Sequence, residues 1–239
     1  MVAVAVETRN QLLLALSVET RGRLLGQLRQ HPLKLKQLIY AQGGLMETVY
    51  FIETGMVSMV VNFEDGMQAE VGLTGHEGMV GLPLLWDTDT SFVEAMVQMP
   101  GMALQMPAAS FRAALDDSAE LRALLLRYNE ARNAQTMQTA ACNSRHQVEQ
   151  RLARWLLMAH DRATSDELPL TQEVIAIMLG VRRPSVTLAA GALQRAGLIR
   201  HVAGRITIID RAGLEAACCE CYVAVRRRSE HLLGFSSAV

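Results

Sequence analysis

The chain has 239 residues, of which 50% are hydrophobic and 20% charged, with a formal net charge of −1. That length suits two small domains with cores of their own, and no apolar run approaches the roughly 18 residues of a membrane span. The opening "MVAVAVETRNQLLLALS" lacks a basic leader and is interrupted by Glu7, Thr8, Arg9 and Asn10, so it does not read as a secretory signal, and a cytoplasmic protein is expected. The four cysteines, Cys142, Cys218, Cys219 and Cys221, do not form a disulfide framework for a chain this long.

The near-neutral total conceals a division. From Gln37 to Phe111 there is no Lys or Arg, against nine acids: Glu47, Glu53, Glu64, Asp65, Glu70, Glu77, Asp87, Asp89 and Glu94. From Ser144 to Arg211 there are ten Arg against six acids. Asymmetry of this kind points to nucleic-acid binding in the basic part, although two solvated surfaces would look the same.

In chain order, "SVETRGRLLGQL" can start a helix with Ser17 as its N-cap. After Pro32 the period shortens. "LKLKQLIY", "TVYFIE", "MVSMVVN", "MQAEVGL", "SFVEAMVQ" and "MALQMP" are β-rich runs, punctuated by Gly43-Gly44, Gly55, Asp65-Gly66, Gly75, Gly78, Gly81 and Pro100-Gly101. Short strands with turn signals between them predict an antiparallel, jelly-roll-like β-roll over about 31–112. Nine of the 13 methionines lie between Met46 and Met106, which suits either an adaptable apolar pocket or an ordinary core.

A helix without Gly or Pro follows over about 118–143. Leu121, Leu125, Tyr128, Gln135 and Thr139 share one face of it, apolar at first and then polar, with Cys142 beyond. That face suits pairing with a second copy as a short coiled coil, or packing across the chain's own roll. Ser144 with Gln147 fits a capping box, so a new helix is expected near Asn143, carrying Val148, Leu152, Trp155, Leu156 and Ala159 as a core stripe. The expected division is therefore 1–143, a sensor roll with flanking and dimer helices, and 144–239, a second domain with a C-terminal helix.

"LTQEVIAIMLGVRRPSVTLAAGALQRAGLI" has the rhythm of two short helices about a glycine turn. Thr171 can cap the first, with Glu173 in its first turn. Ile175, Leu179, Val181, Val186 and Ala189 supply buried positions, Ala176 is small where helices cross, and Gly180 sits where a positive φ is wanted. Pro184 fits the first turn of the next helix, about Arg183 to Arg195. "LIRHVAGRITIID" then reads as two strands about Ala203-Gly204. Helix, turn, helix and hairpin make a winged helix-turn-helix, hence an α+β protein whose partner is double-stranded DNA. With Val186, Ala190 and Leu193 inward, the side chains best placed for base edges are Arg182, Arg183, Ser185, Thr187 and Leu188. Thr171, Gln172, Arg195, His201 and Arg205 are expected at phosphates.

At this point the chain resembles the Crp/Fnr family of bacterial transcription regulators. "YFIETGMVSMVV…DGMQAEVGLTGHEGMVGLPLLW" is similar to that family's cyclic-nucleotide-binding-type roll, and "VEQRLARWLLMA…LTQEVIAIMLGVRRPSV…LQRAGLI" to its DNA-binding half. The resemblance spans Leu12 to Asp210. It implies a homodimer through the Ala119–Cys142 helix on an inverted-repeat site, with RNA polymerase as a further partner. Two departures accompany it. The family's frequent Arg-Glu-x-x-x-Arg pattern falls on Arg183, Pro184 and Leu188, so its familiar half-site does not carry over. Where members that bind cyclic AMP have a Glu after a Gly and then an Arg-Ser pair, this chain has Leu82 after Gly81, and Thr90-Ser91.

A buried phosphate wants Arg or comparable donors. The roll has none, although the following helix holds Arg127 and Arg132. The sequence therefore argues against cyclic AMP, and no cofactor is expected. Iron–sulfur ligation lacks cysteines before Cys142. His76, beside Glu77, has no evident partner for haem or metal ligation and reads as a surface-turn histidine. Cys218 and Cys221 would share a helix face, as a redox pair or half a metal site with Cys142 or a His; the simpler reading packs them as small apolar residues against the wing domain, and no metal site is assigned. No Ser/His/Asp, Cys/His or metal constellation for an enzyme can be assembled. The alternative to a DNA-binding regulator is a small-molecule or redox sensor whose winged domain contacts proteins.

Overall fold

The computed structural model describes residues 8–235. Two short helices, α1 (Gln11–Leu14) and α2 (Val18–Leu25), precede an antiparallel roll of β1 (Arg29–Leu33), β2 (Leu38–Tyr40), β3 (Thr48–Asn62), β4 (Gln68–Thr74), β5 (Met79–Val80) and β6 (Glu94–Pro107). Ser17 caps α2 as anticipated, its side chain accepting from Thr20 N–H. The strand order is β1-β6-β3-β4, with β2 also on β6 and β5 on β3. Helices α3 (Ala108–Asp117), α4 (Ala119–Arg145) and α5 (Val148–His160) lead out of the roll. Then come β7 (Glu167–Leu168), α6 (Gln172–Leu179), α7 (Arg183–Arg195), β8 (Ile199–Val202), β9 (Arg205–Ile208), α8 (Arg211–Ala217) and α9 (Cys221–Leu233).

Two of the turns expected in the roll are not turns. "TVYFIE" and "MVSMVVN" form one 15-residue strand, β3, and "SFVEAMVQ" and "MALQMP" merge into β6. Gly55 and Pro100-Gly101 instead lie opposite each other where these long strands bend and their register slips. A Cβ at Gly55 would stand 2.6 Å from Met99 O, and one at Gly101 would stand 2.1 Å from Thr54 O. The glycines permit close backbone approach at a bulged bend rather than chain reversal.

Both faces of β3 are covered, which is why it reads as a nearly continuous apolar run. Side chains alternate across a strand. Val57 and Met59 join the roll interior, whereas Met56 and Val60 join a second core with α5, α6 and α7. Met46, Met59, Met79 and Met106 are buried among the roll's aliphatic residues, so these methionines fill core space.

Helix α4 corrects two expectations. It runs unbroken to Arg145 and is capped by His146, while α5 starts at Val148 with Gln147 and Gln150 forming the capping box. Ser144, the expected cap, instead donates to the Ala141 carbonyl. Moreover, the face assigned to a second copy is occupied by the chain itself. Leu121, Leu125 and Tyr128 are buried in the roll core. Gln135 is buried and accepts from Arg132, and Thr139 accepts from Arg154 of α5 at 2.7 Å. Leu121, Leu125, Tyr128 and Gln135, already enclosed, cannot form an intermolecular seam, and the half-buried Thr139 is engaged with α5. Leu126 and Met137, on another face of α4, are 47% and 62% exposed.

Candidate nucleic-acid interface and its coupling to the roll

The helix-turn-helix is assembled by local rules. Thr171 caps α6, its side chain accepting from Val174 N–H at 3.2 Å. Gly180 ends α6 in the left-handed region at φ 60°, and α7 departs at 104° to α6, within the range that places a second helix in a groove. Pro184 occupies the first turn of α7, where no N–H is missed. Val186, Ala189, Ala190 and Leu193 hold α7 on the core.

This packing leaves one face of α7 free. Arg182, Arg183, Thr187 and Leu188 are exposed and Ser185 is half-buried. Leu188 is 71% exposed, with its aliphatic surface unused by the fold. Thr187 Oγ1 donates to Gln172 Oε1 at 3.0 Å, tying the start of α7 to the start of α6. The cations Arg182 and Arg183 stand at the positive end of the helix dipole, so this end of α7 is electropositive twice over.

The expected phosphate residues divide. Thr171 and Arg195 are exposed and Gln172 is half-buried, with Arg195 folded back near Gly191. His201 is half-buried on β8 and its backbone N–H donates to Gln194 Oε1 at 2.7 Å. Arg205 is held by Glu167 of β7 at 2.5 Å, a strand that sequence reading missed. The neighbouring Arg200, also missed, is exposed on the same wing and has no ion pair among the described residues. Its place in a four-residue strand was the only available signal. The wing turns through Ala203 and Gly204, at φ 50° and 77°, the primed geometry that matches strand twist.

The reading domain is docked onto the roll through two buried carboxylates that sequence reading counted only as negative charge. Glu70 of β4 accepts from Ser58 Oγ at 2.6 Å and from Trp155 Nε1 of α5 at 2.8 Å. Burial pushes its carboxyl up to about 7, against the opposing pull of these two donors. Glu77 accepts from Arg162 Nε and Nη2 at 2.9 and 2.7 Å. Burial alone would raise the Glu77 carboxyl, but the Arg162 guanidinium outweighs it and leaves Glu77 below the ordinary range. His76, read as a surface-turn residue, is half-buried at that same turn, and its carbonyl accepts from Gln11 N–H.

The Glu70 shift has a pH consequence. A carboxyl raised in the folded state holds its proton where the unfolded chain has lost it. The docked state therefore loses stability as pH rises from the unfolded carboxylate range through about 7. Glu70→Gln keeps a donor-acceptor group of the same shape and is expected to flatten the thermal-melting profile across that window, by up to about 3 kcal/mol at its upper end. An unchanged slope in calorimetry at several pH values would show that another group titrates.

Arg132, the candidate anion partner from the long helix, is already engaged with the Leu73 carbonyl and Gln135. A cavity of about 40 Å³ between α4, α5 and α9 is lined by Arg132, Arg162, Arg226, Glu77, Tyr128 and Tyr222, which is space for water rather than for a nucleotide.

The cysteines divide. Cys218 caps the end of α8 and packs on the core of the winged domain as expected, whereas Cys221 begins α9, so the two share no helix, and Cys219 and Cys221 cluster with Cys142 at the end of α4. Cys142 Sγ lies 3.5 Å from Cys219 Sγ, and Cys221 Sγ lies 3.5 Å from His146 Nδ1. The hydrogen bond between the first pair pulls the Cys142 thiol down and pushes the Cys219 thiol up.

Comparison with known proteins agrees with this architecture. Residues 30–118 match the cyclic nucleotide-binding domain and residues 150–217 match the Crp-like helix-turn-helix domain. The chain is 28% identical over 180 residues to the global nitrogen regulator of Nostoc sp., covering 71% of this chain and 80% of that protein. It is 26% identical over 198 residues to the global nitrogen regulator of Synechococcus elongatus, covering 77% of this chain and 89% of that protein. Its fold is similar to FixK2 from Bradyrhizobium japonicum, with a TM-score of 0.69 at 18% identity over 80% of this chain and 98% of that one. It is also similar to a CRP-family transcriptional regulator of Thermus thermophilus, with a TM-score of 0.63 at 23% identity over 79% and 95% of the two chains. With a roll that matches the cyclic nucleotide-binding domain, a long helix and a C-terminal half that matches the Crp-like helix-turn-helix domain, this chain belongs to the Crp/Fnr family of transcriptional regulators.

Proposed function

We propose that two copies of this regulator bind an inverted-repeat DNA site, each placing the first half of α7 in a major groove. The observation that carries the proposal is the exposed face of α7: Arg183, Thr187 and Leu188 lie on it, with Arg182 at the N-cap and the half-buried Ser185 in the first turn, away from the buried Val186, Ala190 and Leu193. Arg182 and Arg183 suit guanine, and Leu188 suits a thymine methyl. Thr171, Gln172, Arg195 and His201 hold the backbone. Arg205 joins them only by exchanging Glu167 for a phosphate, and Arg200 is the readier wing cation.

The seam between copies lies on the open face of α4. Ala123, Leu126, Asn133, Met137 and Ala140 follow the three-four alternation of a coiled coil, with Glu130 completing it. A polar Asn at such a position sets register at some cost in stability. No enzyme is proposed, and no cyclic AMP control. Leu82 packs on the roll core where an acid would be needed, Ser91 Oγ is spent on the Val93 carbonyl, and Arg132 is engaged elsewhere. The reading includes a cytoplasmic chromosome site and RNA polymerase as the second partner.

The test is selection from a random duplex pool by the purified full-length protein, without added ligand. The expected result is an enriched inverted repeat with half-site centres about one helical turn apart and affinity falling steeply with salt. Salt-independent or absent duplex binding would favour a winged domain that contacts protein. On the selected site, Arg183→Ala is expected to cost about 1–3 kcal/mol and to relax preference at one base position. Unchanged affinity and preference would remove Arg183 from the readout.

A further inference from the structure

We propose that Cys142, His146, Cys219 and Cys221 form a closed, tetrahedral Zn²⁺ site that locks the end of α4 to the winged domain. The sulfur atoms of the three cysteines and a ring nitrogen of His146 all lie within 4.8 Å of one another. Zinc with bond lengths of about 2.3 Å to sulfur and 2.0–2.1 Å to nitrogen separates its ligand atoms by roughly 3.5–3.8 Å when tetrahedral. The two closest pairs, Cys142 Sγ to Cys219 Sγ and Cys221 Sγ to His146 Nδ1, each stand at 3.5 Å. Ligand atoms this close enclose one ion; an iron–sulfur cluster would hold its sulfurs further apart around a larger body. Three thiolates and an imidazole are the soft, four-coordinate set that zinc takes in structural sites.

The surroundings supply what such a site needs. Cys142, Cys219 and Cys221 are buried, so no coordination position opens to solvent. His146 turns its other ring nitrogen, Nε2, to the Glu220 carboxylate at 3.3 Å, the outer partner that orients a metal-bound histidine. Gln138 Nε2 donates to Cys221 Sγ at 3.0 Å. Zinc with three thiolates and neutral imidazole carries one net negative charge. Two buried cations stand close enough to act on Cys142 electrostatically, Arg151 and Arg154, and among the described residues neither has a carboxylate partner. Each also leaves its Nε without a hydrogen bond. A negatively charged metal centre gives both a counter-charge. Binding exchanges up to three thiol protons for the ion, with no change of oxidation state.

The ligands come from two places that matter mechanically. Cys142 and His146 lie one turn apart at the end of α4, two residues before α5, while Cys219 and Cys221 join α8 to α9. Zinc therefore sets the angle at which the winged domain leaves α4. That consequence for DNA affinity rests on the DNA reading proposed above; the metal site does not.

The experiment is elemental analysis of the full-length protein purified without chelator, followed by replacement of zinc with Co²⁺ under reducing conditions. The expected result is one zinc per chain, and for cobalt the intense visible bands of a tetrahedral thiolate site. Cys142→Ser and Cys219→Ser each lose both signatures, whereas Cys218→Ser, whose thiol donates to the Glu215 and Cys219 carbonyls, keeps them. The wild-type cobalt spectrum needs no variant to fold. Reduced wild-type protein that binds neither ion overturns the site, as does undiminished zinc in the Cys142→Ser, Cys219→Ser double variant or a Cys142–Cys219 disulfide in its place. Zinc removal is expected to lower affinity for the selected duplex at least tenfold. A full metal complement in a protein that binds no DNA leaves the zinc site standing and removes the DNA reading instead.

Discussion

Replacing Leu126 and Met137 together with glutamate is expected to leave a folded monomer that has lost at least a hundredfold in affinity for its inverted repeat. Both side chains are largely exposed on α4, so the change removes little packing within the chain. In a dimer it would bury like charges at the seam, which is strongly disfavoured. The loss on DNA follows from connectivity. Once one half-site is bound, a linked copy meets the second at a high effective concentration, worth about 10²–10⁴ in apparent affinity. Light scattering for mass, circular dichroism for fold and titration of the selected duplex together check the expectation. A persistent dimer would move the seam off this face of α4. The same pair of substitutions placed at Leu121 and Leu125 should instead unfold the roll, because those side chains are in its core.

Arg162→Met should produce the largest loss of stability among single substitutions at the docking surface, about 3–5 kcal/mol. Arg162 and Glu77 are nearly enclosed, with side chains 5% and 11% exposed. Removing the guanidinium strands a buried carboxylate, which costs far more than the net worth of the pair. For a chain of this size, a fall in Tm on the order of 10 °C follows. The pH dependence has a definite sign. In the native protein Glu77 is depressed, so its contribution is present above the unfolded carboxylate range and is lost as pH falls through its lowered value. In Arg162→Met the sign reverses: Glu77 holds a proton, and the variant recovers stability on acidification. Arg162→Met combined with Glu77→Met should regain much of the loss by replacing charge with packing. A single variant that melts as the native protein does would mean that water reaches this pair in solution.

The local elements were legible because their rules act over a few residues. Thr171, Gly180, Pro184 and the Ala203-Gly204 pair each answer to a backbone requirement at their own position, and the α7 boundaries follow from them. The turns misread at Gly55 and Pro100-Gly101 show the limit: glycine announces unusual backbone geometry, but only the opposing strand reveals close approach instead of reversal. Helix α4 shows it again. A face with Leu121, Leu125 and Tyr128 must be buried somewhere, and periodicity does not say whether a roll or a second copy covers it.

The sequence by itself determined the order of roll, long helix and winged helix-turn-helix, and which side of α7 stays outside, since both rest on periodicity and on residues with special backbone preferences. Only the tertiary structure decided that Glu70 and Glu77 are buried latches and that α4 leaves its other face exposed. It also decided that Cys142 and His146 meet Cys219 and Cys221. Each of these joins residues 60 or more positions apart or assigns a face to one of two possible partners. Such pairings are set by how the two cores close on each other, a condition that no local pattern carries.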